Sequence, residues 1–256
     1  MDDLKLPLFI KDHDEIHLRY ERFPLFFGPN GSHLKLYPRK GRIVIPSHFL
    51  TLFVSFLPTI ALFLSVAISL YTDFAEATKT HCHVFNVLPS ISTAISNPWT
   101  KPIWKTLIYL HSPPRFLAYL IYRRWFLSSR LSFFCCLFYL IELLSLLSLT
   151  HFDSTSAHFY HVVSFTTFGV FSVLHMIVHT SIVSNLTTRR SIQLKRRSLL
   201  SSLLCLSFCF LLFLRHNSHC EPLVFSVFAA FEYLFVLSNI YFHSTFRFDF
   251  PRYSLV

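Results

Sequence analysis

Between Phe49 and His243 the chain falls into six apolar stretches, each bounded by turn-forming or charged residues. They cover residues 47–72, 102–122, 131–150, 157–188, 198–214 and 222–243. A helix that crosses a bilayer needs about 20 mostly apolar residues, and each stretch has close to that length or more. The strict alternation of a barrel strand is absent, so each run must satisfy its backbone within a helix. The pattern predicts an all-α membrane protein, a six-helix transmembrane bundle. Connections between later stretches are short, which makes successive helices antiparallel neighbours.

Composition agrees with the pattern. Hydrophobic residues make up 53% of the 256 residues, Phe alone occurs 31 times, and charged residues reach only 14%. Soluble domains carry about 25% charged residues. The net charge of +10 at first suggests a nucleic-acid partner, but its placement argues against one. Lys35, Arg39, Lys40 and Arg42 precede the first stretch, and Arg123, Arg124 and Arg130 separate the second from the third. Arg189, Arg190, Lys195, Arg196 and Arg197 separate the fourth from the fifth, while Arg247 and Arg252 follow the sixth. The other connections are poor in Lys and Arg. This is the positive-inside distribution, which puts both termini in the cytoplasm and the loops around Cys82, Asp153 and Cys220 on the luminal side.

Three regions follow: a cytoplasmic N-terminal segment, 1–46; the transmembrane domain, 47–243; and a cytoplasmic tail, 244–256. The N-terminal segment lacks the basic start and apolar core of a cleavable signal peptide, so the first span is expected to act as an uncleaved one. The acceptor patterns at Asn30 and Asn185 fall on the cytoplasmic side and are expected to stay unglycosylated. Within the loop after the first span, residues 87–96 are too polar to cross and too apolar for a solvated loop. They are expected to pack over the luminal mouth of the bundle. Cys135, Cys136, Cys205 and Cys209 lie inside spans, where cysteine packs as a small apolar residue. Cys82 and Cys220 form the luminal pair, and an oxidising lumen permits a disulfide between them.

Polar residues inside the spans are the candidate chemistry. Arg115, Glu142 and Glu232 each sit near mid-membrane, where a charge costs about 2.5–3.5 kcal/mol on insertion scales. Either they form a buried ion pair or triad that fixes helix register, or they line a polar pocket for a lipid headgroup or reacting ester. Glu232, Asn239 and His243, spaced by seven and four, share one helical face. Pro113 and Pro114 interrupt the backbone ladder of the second span beside His111 and Arg115, as the wall of a polar cavity would. His175 and His179 have metal-ligand spacing, but His151 lies a full helix length from them, so no metal is expected. No other bound cofactor is expected.

The most specific pattern lies toward the C-terminus: Arg215, His216 and Asn217; Cys220 and Glu221; Phe228, Ala229, Ala230, Phe231, Glu232 and Tyr233; then Val236, Asn239, Phe242, His243, Thr245, Asp249 and Phe250. With residues 86–95, residues 110–116, Glu142, His175 and Met176, these resemble the post-GPI attachment to proteins factor 2 family from about Phe49 onward. The resemblance implies a multi-pass protein of the Golgi or endoplasmic reticulum membrane, whose partners are GPI lipid, GPI-anchored proteins and membrane lipids. It implies reacylation of lyso-GPI at sn-2 with a saturated chain, or else a non-enzymatic lipid-binding, transfer or accessory role in that remodelling. Acyl transfer needs a base at the lipid hydroxyl and a positive group for the developing oxyanion. His111 or His243 suits the base and Arg115 the positive group, with Glu142, His175, Glu232 and Asn239 contacting lipid or headgroup. Acyl-CoA or another acyl donor is the implied co-substrate.

Overall fold

The structure, a computed structural model, describes residues 45–126, 129–184, 186–250 and 254–255. Most of the N-terminal segment with its Asn30 pattern, Asn185 and Arg252 lie outside the described residues. The described chain is almost wholly helical. Its six long helices are α1 (Ser47–Thr72), α4 (Lys101–Trp125), α5 (Arg130–His151), α6 (His158–Val183), α7 (Arg189–His219) and α8 (Val224–Ser244). Short helices α2 (Phe74–Thr78), α3 (Ile91–Ser96) and α9 (Phe246–Asp249) fill the connections. A two-residue pairing of β1 (Ile45–Pro46) with β2 (Ser254–Leu255) brings the two ends of the described chain together.

Five of the long helices are long and apolar enough to cross a membrane: α1, α5, α6, α7, and α8 continued through Asp249. Helix α4 has the length, 25 residues, but carries Lys101, Lys105, Arg115, Arg123 and Arg124 along it. Its sequence still makes a helix. Pro102 near the start removes an N–H that would be unsatisfied there anyway. Past Pro113 and Pro114 the helix continues, with the Ser112 hydroxyl donating to the Ile108 carbonyl at 2.8 Å.

Side chains divide by direction. Phe63, Phe133, Leu144, Phe210 and Leu211 point outward and stay more than half exposed, the surface a hydrocarbon solvent accepts. Inward positions are small or polar: Ser65, Ala61, Ser172, Ser202 and Ala229 are fully buried and let helices approach closely. Helix α5 packs on α6, α7 on α8, and α1 on both α4 and α8.

The chain runs up and down, giving the bundle a cysteine end and a basic end. At the cysteine end, the disulfide between Cys82 and Cys220 joins the α2–α3 connection to the α7–α8 turn, with Cα atoms 5.3 Å apart. Residues 86–96 pack over that end. Ser226 Oγ accepts from the Val87 and Leu88 N–H groups at 2.8 and 3.2 Å, and the Tyr233 hydroxyl donates to the Pro89 carbonyl. Lys101 pairs there with buried Asp153 at 2.6 Å. Burial raises the Asp153 carboxyl, but bonds from Lys101, Thr155 and Ser156 outweigh it and hold the group well below the usual carboxylate range.

The basic end differs from the sequence expectation. The segment 189–197 reads as a charged connection, yet it forms the first turns of α7, begun by Thr188, whose side chain caps the Ser191 N–H at 3.2 Å. A cap followed by good helix formers outweighs the charge, because Lys and Arg have high helix propensity. The residues after α8 also turn inward: Thr245, Phe246, Asp249 and Phe250 are all buried. Two apolar clusters result. One, around Tyr122, Trp125, Val183, Phe246 and Phe250, lies toward the basic end. The other, around Leu62, Trp104, Ile108, Phe168 and Phe235, lies toward the cysteine end. A polar layer is held between them.

Candidate functional site in the bundle interior

Four helices each turn one stripe at helical spacing into this layer. Helix α4 contributes His111 and Arg115, α5 contributes Tyr139 and Glu142, α6 contributes Ser172, His175 and His179, and α8 contributes Asn239 and His243. All are at least nine-tenths buried.

Glu142 is the centre. Its Oε1 accepts from Arg115 Nη2 at 2.7 Å and from Asn239 Nδ2 at 2.8 Å, and lies 3.0 Å from His243 Nε2. Arg115 Nη2 is also 2.8 Å from His243 Nε2. When that nitrogen is bare, Arg115 donates to it; when it carries hydrogen, it donates to Glu142. His175 Nδ1 approaches Glu142 Oε2 to 3.0 Å, though not in hydrogen-bond alignment. His175 Nε2 meets His179 Nδ1 at 3.2 Å, Asn239 also donates to Ser172 at 2.8 Å, and the Tyr139 hydroxyl donates to the Arg115 carbonyl at 3.0 Å. Arg115 further lies 5.3 Å from the Tyr139 ring centroid.

The layer is not saturated. His111 Nδ1, Arg115 Nε and His179 Nε2 are buried without a hydrogen-bond partner among the described residues. Unmade bonds of this kind cost about 1–3 kcal/mol each, so three together need a reason. A cavity with room for about one water molecule adjoins the layer, lined by Thr51, Tyr139, His179, Lys195 and His243 among others.

Six of the seven residues singled out for chemistry come together: His111, Arg115, Glu142, His175, Asn239 and His243. Glu232 does not. It lies two helical turns nearer the cysteine end, where its Oε2 accepts from the Ile91 N–H at 2.9 Å and fixes α3 to α8. The ion pair is therefore Arg115 with Glu142. Sequence reading missed Tyr139 and Ser172 as members. Tyr139 stands one turn before Glu142 on the same face, so helical spacing carried that signal.

A second buried carboxylate was also missed. Asp249 accepts from Tyr122 OH at 2.5 Å, Ser191 Oγ at 2.6 Å and Thr187 Oγ1 at 2.9 Å, and pairs with Lys195 at 2.9 Å. Lys195 also donates to Thr245 Oγ1 and lies 4.9 Å from the Phe242 ring centroid. In sequence Lys195 looks like one more cytoplasmic cation beside Arg196 and Arg197.

Among the described residues, two buried trios bring their ligand atoms within 4.8 Å of one another: Glu142 with His175 and His243, and Cys135 with His175 and His179. Charge balance disfavours an ion at the first. Arg115 already neutralises Glu142, so a dication would leave two uncompensated charges in a low-dielectric layer. A third group, His81 with Cys82 and His216, has its sulfur committed to the disulfide.

A helical multi-pass membrane protein with a charged layer inside its bundle is thus defined. The Frag1/DRAM/Sfk1/Cwh43P N-terminal domain matches residues 46–253. A Caenorhabditis briggsae protein named "Post-GPI attachment to proteins factor 2" is 38% identical over 226 residues, covering 80% of this chain and 86% of that protein. A Drosophila melanogaster protein of the same name is 34% identical over 86% of this chain and 91% of its own length. "Acyltransferase PGAP2" of Xenopus tropicalis is 36% identical over 78% and 86%. The chain belongs to the post-GPI attachment to proteins factor 2 family. No solved structure matches it.

Proposed function

We propose that the protein acts in GPI-anchor remodelling as a lyso-GPI acyltransferase, restoring a saturated chain at sn-2 from acyl-CoA or another acyl donor. The unsaturated polar layer carries this reading. A layer serving only to hold helices together gains nothing from three orphaned polar atoms, whereas a reacting hydroxyl and ester would occupy them. His111, with Nδ1 unengaged, is the base. His243 is the weaker candidate, because its Nε2 is already shared between Arg115 and Glu142. Arg115, held by Glu142 with its Nε free, faces the developing oxyanion. Glu142, His175 and Asn239 contact the headgroup, and Glu232 acts through α3. The name given to the Xenopus tropicalis relative supports the same class of reaction.

The remaining features of this reading concern placement. All six long helices cross the membrane, α4 included, because its central charge is paired and its other charges lie near its ends. Both termini face the cytoplasm, with the basic end cytoplasmic and the cysteine end luminal. The membrane is that of the Golgi or the endoplasmic reticulum, and the partners are GPI lipid and GPI-anchored proteins.

Purified protein in liposomes, supplied with lyso-GPI and acyl-CoA, tests the assignment. Diacyl product formed without any other protein is the expected result. Tight lyso-GPI binding without turnover, across several acyl donors, would replace it with an accessory, lipid-binding role.

A further inference from the structure

At the cysteine end, far from the charged layer, a serine and a histidine stand in the geometry of an activated nucleophile. Ser92 Oγ, in α3, lies 2.7 Å from His161 Nε2, in the first turn of α6. His161 Nδ1 lies 2.8 Å from the Phe152 carbonyl oxygen. A carbonyl can only accept, so Nδ1 carries the hydrogen. In the neutral ring Nε2 is then bare, and Ser92 must be the donor. That is the tautomer a serine nucleophile needs, with the orienting role that a carboxylate often fills taken here by a backbone carbonyl.

The positions are fixed rather than incidental. The N–H before Ser92, on Ile91, is held by Glu232 at 2.9 Å, and the N–H after it, on Thr93, by the Ser90 hydroxyl at 3.2 Å. His161 is buried while Ser92 is only half-buried, so the base is sheltered and the hydroxyl remains reachable. Along α6, His161 lies about 21 Å from His175 at 1.5 Å per residue, so this pair is separate from the charged layer.

We infer that Ser92 and His161 form a nucleophilic dyad that takes a fatty acyl group from a membrane glycerolipid as a serine ester. Ser92 Oγ attacks the lipid ester carbonyl while its proton passes to His161 Nε2. The ester C–O bond breaks, the leaving glycerol oxygen takes that proton, and a lysolipid departs. In the second half an acceptor hydroxyl gives its proton to Nε2 and attacks the acyl-serine carbonyl. Ser92 leaves and recovers the proton. This goes beyond the reading above, and its test requires no GPI lipid, so either can fail alone.

The test uses full-length protein in detergent and a long-chain alkyl fluorophosphonate. One label per chain is expected, on the peptide containing Ser92, and absent from Ser92→Ala and Ser92→Cys. His161→Gln is expected to slow labelling about 100-fold, the lower range for loss of a general base. The wild-type rate should fall on acidification, and that dependence should vanish in His161→Gln. Size-exclusion behaviour and an intact Cys82–Cys220 disulfide establish that each variant is folded; Ser92→Cys covers the case in which Ser92→Ala is not. No label on monodisperse wild type, label surviving both Ser92 variants, or an unchanged rate in His161→Gln overturns the dyad.

Discussion

Glu142 and Asp249 are both fully buried carboxylates paired to a buried cation, yet their surroundings are finished differently. Both Asp249 oxygens are satisfied: Oδ1 by Thr187 and Ser191, Oδ2 by Tyr122 and Lys195. Among the described residues no side-chain atom of these partners is left buried without a bond. Around Glu142, three groups crowd one oxygen while Oε2 has only an ill-aligned His175, and Arg115 Nε, His111 Nδ1 and His179 Nε2 stay unmatched. Completeness is what a structural lock requires. Incompleteness has a cost in stability that only a ligand, a water or a reaction offsets.

The largest expected effects come from breaking each pair and then neutralising it. Asp249→Ala and Arg115→Ala each strand a buried charge and should cost about 3–5 kcal/mol, read as loss of folded protein on size exclusion. The doubles separate the two regions. Lys195→Met with Asp249→Leu should recover both abundance and remodelling activity. Arg115→Met with Glu142→Leu should recover abundance alone. Recovery of activity in the second double would make Glu142 another lock.

A smaller effect is expected at His111. Replacing it by Gln keeps size and polarity, so abundance should hold while turnover falls about 100-fold, worth about 2.7 kcal/mol of transition-state stabilisation. Smaller still, Glu232→Gln retains an acceptor for the Ile91 N–H and should shift stability by no more than about 1 kcal/mol with activity preserved. Loss of activity in folded Glu232→Gln would return Glu232 to the reacting layer. The least effect concerns Asp153, whose carboxyl is held below its ordinary range. A depressed carboxyl adds stability above its unfolded pKa and loses it as pH falls through the folded one. Wild type should therefore hold its melting temperature through mild acid and lose this contribution only in strong acid, whereas Asp153→Asn should lack that acid-dependent loss.

The charged layer was legible because its members are costly where they stand. Arg115, Glu142, Asn239 and His243 announce themselves in apolar runs, and a period of 3.6 aligns them. What linear reading could not supply was depth matching between helices, which sent Glu232 to Ile91 and left Glu142 to Arg115. The Asp249 lock was hidden for another reason. Both its charges lie in segments that look like ordinary cytoplasmic connections, and only the inward turn after Ser244 buries them. Ser92 and His161 gave no signal at all: serine and histidine are common here, and their contact spans 69 residues between a rim helix and a long one.

The Lys195–Asp249 pair also has a consequence in time. A ribosome delivers Arg115 and then, 27 residues later, its partner Glu142, so that pair can close within one helical hairpin. Lys195 must wait until all of α8 and the turn after it have been made. Until they emerge, the nascent bundle carries an ammonium with no counter-ion, and a chain stopped short of Asp249 would carry it permanently. The turn after α8 thus decides whether that ammonium is answered, in a chain that reaches Asp249, or left alone, in one that stops short of it.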